Sequence, residues 1–256
     1  MERPLRTSAQ PSANLCEKRR PRVLAVLLLW LLPLLAPAQS PGETSVLVLT
    51  TFDHKLPSSS VVEAACRQQG VAGCSLYRWQ NHLYVYGPAA GVAKLPRALH
   101  EAYPKAGIKL YAAPFYRFDR RRCTDQGTAG QWTNILLTAQ LVADTVKQNE
   151  YMQYHATQFE QWPEVSQGFC NARFQQLLLF RQGRRLLLVI SIPKGTTLAE
   201  LNPLTTRNNP RVDEWNRRMS QYQEGLPGTR PGEVWVFPQP VPPLAQPKPV
   251  RKQRGL

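Results

Sequence analysis

Twice along this 256-residue chain the apolar pattern runs strand, helix, strand, strand, helix, strand, and that repeat constrains the fold more than any single residue. In the second half, residues 135–142 read as a strand and 146–161 follow a helical period. Residues 174–180 and 186–192 are apolar strands joined at Gln182-Gly183, a second helix spans 210–223, and 233–237 closes the set as a strand. In the first half the same order is carried by 45–51, 59–69, a hairpin of 75–79 with 83–86, then 95–103 and 108–118. The hairpins echo each other in residues: Leu83 follows Tyr77-Arg78 as Leu186 follows Phe180-Arg181, six positions after the aromatic in each case. This element order is the ferredoxin-like plan. The expected class is therefore α+β, with two tandem βαββαβ domains at 44–118 and 132–239 and an Arg-, Gly- and Thr-rich linker at 119–131.

The ends have a different character. Arg3, Arg6, Lys18, Arg19, Arg20 and Arg22 lead into an apolar run from Val23 to Ala36, and Ala36-Pro37-Ala38 has the small-x-small form of a signal-peptidase site. The run is shorter than the roughly 20 residues a membrane span needs. Residues 1–38 are thus expected to be an export signal cleaved near Ala38, with no stable membrane insertion and a periplasmic or extracellular mature protein. Residues 240–256 are Pro-rich and basic, and are expected to be a disordered tail.

The formal net charge is +15, and removing six basic and two acidic side chains with the signal still leaves the chain basic. Export argues against nucleic acid as the partner. Four cysteines remain after the signal, Cys66, Cys74, Cys123 and Cys170, and spacing leaves all three disulfide connectivities open. There is no C-x-x-C pair and no His at metal-ligand spacing from a Cys, so no metal site is expected. The chain also lacks a Gly-rich phosphate loop and a G-x-S-x-G turn, which leaves nucleotide-dependent and serine-hydrolase chemistry without support.

Chemistry concentrates in Tyr151-Met152-Gln153-Tyr154-His155, followed by Trp162-Pro163-Glu164. On a helix Tyr151 and His155 share a face, and an imidazole can exchange protons near neutral pH without a cofactor. Further on come Asn209-Pro210-Arg211-Val212-Asp213-Glu214-Trp215, Met219, Tyr222-Gln223-Glu224-Gly225 and Pro231-Gly232-Glu233-Val234-Trp235. In this order the motifs resemble the L-rhamnose mutarotase family over about residues 134–239. The resemblance implies a cofactor-free isomerase interconverting the α and β anomers of a free deoxy sugar. It implies His155 as the proton-transferring residue, and Tyr151, Tyr154, Trp162, Gln176 and Trp215 as sugar-binding residues. Members of single-copy length pair two ferredoxin-like sheets across a dimer, so two copies in one chain could bring that pairing inside one molecule as an internal dimeric α/β barrel. The expected assembly is then a monomer with that internal pseudo-dimer, or a homodimer.

The first copy has neither Tyr nor His in its helix 59–69, so one site per chain is expected, with the N-terminal half as scaffold unless Tyr84, Tyr86 or His82 reaches the pocket. Two other readings remain open at this point. A non-catalytic sugar-binding module is suggested by Gln176 and Asn216, which depart from aromatic residues in some family members. A cofactor-free oxygenase or haem-binding protein rests on fold analogy alone.

Overall fold

The computed structural model describes residues 43–52 and 57–242. The expected export signal and most of the expected tail lie outside the described residues. The first half supplies β1 (Thr44–Thr50), α1 (Ser59–Gln68), β2 (Ser75–Trp79), β3 (His82–Pro88), a single turn α2 (Ala89–Val92), α3 (Leu95–Ala102) and β4 (Gly107–Tyr111). That half closes with β5 (Tyr116–Asp119), and the second supplies β6 (Trp132–Leu141), α4 (Thr145–Ala156), α5 (Gln158–Gln161), α6 (Pro163–Asn171), β7 (Gln176–Gln182) and β8 (Arg185–Pro193). It ends with α7 (Leu198–Leu201), α8 (Pro210–Ser220), β9 (Gln223–Glu224) and β10 (Gln239–Val241).

Two five-stranded sheets result, ordered β10-β2-β3-β1-β4 and β5-β7-β8-β6-β9, with every pairing antiparallel. Each half lends its last strand to the other: β5 extends the second sheet alongside β7, and β10 extends the first alongside β2. The expected strand 108–118 is therefore two strands on two sheets. Pro114 sits in the break, where the chain leaves one ladder before Phe115 N–H donates to the Leu179 carbonyl on the other. At the far end, 233–237 contributes only a bridge between Val236 and Thr138 in place of a regular strand. Gln239–Val241 pairs with β2, so the ordered chain runs past the position where a tail was expected.

The two-residue period of the strands sorts their side chains into separate cores. Leu177 and Leu179 of β7 pack with Tyr151, Val165, Val212, Trp215 and Met219 from α4, α6 and α8. Leu178 and Phe180, pointing the other way, join Val46, Val48, Tyr84 and Tyr86 of the first sheet. The outer face of the first sheet buries Leu47, Leu49, Leu83 and Val85 against α1 and α3. The layers thus run helix, sheet, sheet, helix. Each fully buried Leu or Phe stabilises the folded state by about 1.5–3 kcal/mol relative to exposure, so the shared middle core joins the two sheets strongly. Tyr77 Oη donates to the Asn134 carbonyl at 2.9 Å and adds a polar link between the halves.

The expected helix 146–161 is interrupted. Asp144 starts α4 by accepting from the amides of Val146 and Lys147, and α4 stops at Ala156. The short α5 follows, and Pro163 opens α6, where its fixed φ and missing N–H suit the first helical position. Gly168 lets α6 lie close on the following turn: a Cβ there would stand 2.5 Å from the Thr205 carbonyl oxygen.

Candidate active site

Between the helical layer and the second sheet lies a cavity of about 440 Å³, within the roughly 300–1,000 Å³ of small-molecule sites. Its floor is the helix-facing side of the sheet, including Leu177, Leu179, Leu188 and Ile190. Polar groups enter from Tyr151 and His155 of α4, Asn216 and Ser220 of α8, Gln223, Asn202 and Tyr116.

His155 and Tyr151 sit side by side as their four-residue spacing demands, ring centroids 4.3 Å apart, with 9% and 1% of their surfaces exposed. The Nδ1 atom of His155 lies 2.9 Å from the Tyr151 carbonyl oxygen. A carbonyl only accepts, so Nδ1 carries the proton and Nε2 presents a lone pair. Burial pushes the imidazole down to about 4, partly opposed by that backbone bond, so the ring is neutral at physiological pH. Aromatic edges hold it in place, with Tyr116 at 5.2 Å, Trp215 at 5.3 Å and Phe115 at 5.8 Å between centroids.

Tyr151 is kept protonated by its own burial, which raises its phenol well above the usual range. A relay fixes the hydroxyl: Trp235 Nε1–H donates to Gln223 Oε1 at 3.0 Å, and Gln223 Nε2–H donates to Tyr151 Oη at 3.2 Å. With its oxygen already accepting, the phenol's own proton is free to be donated. Tyr116 is different, because its hydroxyl is spent on Gln158 Oε1 at 2.6 Å, while the Gln158 amide holds the Trp162 carbonyl.

Of the sequence-derived candidates, His155, Tyr151 and Trp215 meet at the cavity wall. Trp162 is buried behind Trp215, with centroids 5.6 Å apart and the Arg211 guanidinium 3.9 Å over its other side. Tyr154 accepts from Arg218 Nη1 at 2.7 Å and also packs on Trp215. Neither lines the cavity; both brace the indole that does. Gln176 shares the parity of Leu178 and Phe180 and points into the space between the sheets, donating to Tyr86 Oη and Ser191 Oγ. The sheet stands between it and His155.

The tyrosines expected as contributions from the N-terminal half, Tyr84 and Tyr86, lie in the inter-sheet core, and His82 lines a different cavity. Tyr116, within a strand expected to close the first copy, reaches the site by crossing to the second sheet. Gln223 stood in the family motif, yet nothing in its spacing gave it the role of holding Tyr151.

A family model described as L-rhamnose mutarotase matches residues 135–241. An L-fucose mutarotase from Xanthomonas campestris pv. campestris is 31% identical over 86 residues, covering 34% of this chain and 67% of that protein. The chain belongs to the L-rhamnose mutarotase family. The family match takes in α4, α8, Gln223 and Trp235, whereas Phe115 and Tyr116 precede it. Among the described residues no group of His, Cys, Asp and Glu is arranged to hold a metal ion, and no helix is long and apolar enough to cross a membrane.

Proposed function

We propose that this chain is an exported sugar mutarotase acting on L-rhamnose, L-fucose or a related free 6-deoxy sugar, with His155 and Tyr151 as its proton-transferring pair. The observation that carries the reading is the neutral imidazole with an available Nε2 beside a phenol whose oxygen already accepts. Nε2 takes the proton of the anomeric hydroxyl while Tyr151 Oη–H gives one to the ring oxygen. The ring C–O bond breaks and an aldehyde forms. After the aldehyde turns its other face, the freed hydroxyl returns its proton to Tyr151 and the carbonyl oxygen regains one from His155. No electron or group is gained or lost. Trp215 offers an apolar wall to the sugar's methyl-bearing edge, and Asn202, Asn216 and Gln223 offer partners to its hydroxyls.

Saturation-transfer NMR on L-rhamnose and L-fucose tests this directly. The protein should speed exchange between anomer signals of at least one of them, and exchange of both at the buffer rate sinks the proposal. The pH profile is specific. Because protonation of His155 removes the base, the enzyme-driven rate should stay level from about pH 8 to about 5 and fall as pH drops through about 4. Circular dichroism on the same samples separates that fall from acid unfolding.

The architecture is read as two tandem ferredoxin-like units whose sheets pair as an internal dimeric α/β barrel, leaving a monomer with one site. Repeated element order, the exchanged strands β5 and β10 and the joint core support this. Export is supported by the basic, then apolar, residues 1–38 and by the disulfide Cys123–Cys170, a bond that persists in oxidising compartments. Intact-mass measurement of secreted protein should give a chain starting near Gln39; a full-length mass counts against processing.

A further inference from the structure

A second cavity, of about 210 Å³, opens between the two sheets beside their shared core. It is separate from the site of His155. Leu187 lines one cavity and Leu188 the other, and neighbours on a strand point to opposite faces, so the second sheet divides them. The volume falls below the roughly 300–1,000 Å³ of drug-sized sites, which limits an occupant to a small molecule.

Its chemistry is one-sided. Arg185 of β8 and Lys109 of β4 both line it, and no Asp or Glu does among the described residues. Neither cation makes a hydrogen bond or an ion pair among the described residues. Half-buried Arg185 is surrounded by neutral polar rings: His82, Tyr84 and Tyr111 line the same space. Burial governs how these three titrate, pushing His82 down to about 4 and both phenols up, and in each the next influence is the positive charge of Arg185. One guanidinium therefore acts on all three rings without a counter-charge among the cavity walls. The Arg185 side chain is only half-buried and none of its nitrogens is closed off from solvent, so its N–H donors stand open to an incoming anion. Phe52, 71% exposed, stands at the rim, and Leu187 gives an apolar wall.

We propose that this inter-sheet space binds a small organic oxyanion carried on a sugar-sized ring, with Arg185 and Lys109 holding the oxyanion and Phe52 and Leu187 meeting the ring. A guanidinium suits either a carboxylate or a phosphate through paired N–H donors, so a sugar acid and a sugar phosphate are the two sources of that chemistry. The site owes nothing to His155, and the proposal holds or fails independently of the mutarotase reading.

Isothermal titration of the full chain at low ionic strength with D-glucuronate, D-glucose 6-phosphate and D-glucose decides the matter. At least one anion should bind with a millimolar or tighter Kd, and neutral glucose should not. The tighter anion identifies the source. Arg185→Gln should weaken binding about tenfold or more, the loss of a charge-assisted bond, while leaving anomer exchange unchanged. Lys109→Glu sits at an exposed position that does not threaten folding, and should weaken binding by placing a like charge at the mouth. The proposal is overturned if neither anion binds, if glucose binds as tightly as they do, or if both variants keep wild-type affinity.

Discussion

A His155→Phe variant is expected to lose about 10²- to 10⁴-fold of the enzyme-driven anomer exchange while remaining folded. That loss corresponds to about 2.7–5.5 kcal/mol of barrier, more than repositioning one hydroxyl of the sugar would account for. The fold should tolerate the change because the ring already sits among Phe115, Tyr116, Tyr151 and Trp215, a setting that accepts another aromatic ring. The bond given up, from Nδ1 to the Tyr151 carbonyl, has a net worth of about 1 kcal/mol. Exchange NMR gives the rate, a thermal melt gives the stability, and saturation transfer to bound sugar shows whether the cavity still fills. His155→Gln, with a polar side chain but no comparable base, should fail in the same way. Wild-type exchange in either variant would remove the imidazole from the chemistry.

The sequence disclosed the middle of this site more readily than its edges. Tyr151 and His155 could be placed together because a helix fixes which residues share a face, and that rule needs only local spacing. Trp215 came from the family resemblance, while the helical spacing of Val212, Trp215 and Met219 fixes the one stripe they bury. Gln176 shows the limit. One face of β7 meets helices and the other meets a sheet, and both are apolar, so the strand has no polar side from which to read its orientation. Tyr116 was harder still. Residues 108–118 form one continuous β-like stretch, and only Pro114 hints that the chain changes sheets within it. The exchange of β5 and β10 depends on pairing partners more than 50 residues away, which no local pattern encodes. The same exchange explains why a residue outside the family match stands beside His155.

Removing the disulfide between Cys123 and Cys170 should lower the stability of the fold by several kcal/mol. The bridge spans 47 residues of sequence, and closing a loop of that length in the unfolded chain is worth about 4 kcal/mol by the chain-entropy relation. For a folded unit of this size, each kcal/mol moves the melting temperature by about 2–4 °C. The Cys123→Ala/Cys170→Ala double variant should therefore melt about 8–16 °C lower, and reductant should produce a similar shift in wild type. Cys66 and Cys74, the free cysteines among the described residues, remain in both proteins and so drop out of the comparison. The consequence should reach the active site as well. The bridge fastens α6, whose Val165 and Phe169 line the cavity, to the segment just after β5, which carries Tyr116. As the double variant is warmed, exchange activity should fall with the loosening of β5, at temperatures where the inter-sheet core still gives native circular dichroism. If activity and circular dichroism instead disappear together, and within about 3 °C of wild type, the bridge neither stabilises the chain nor holds the exchanged strand in place.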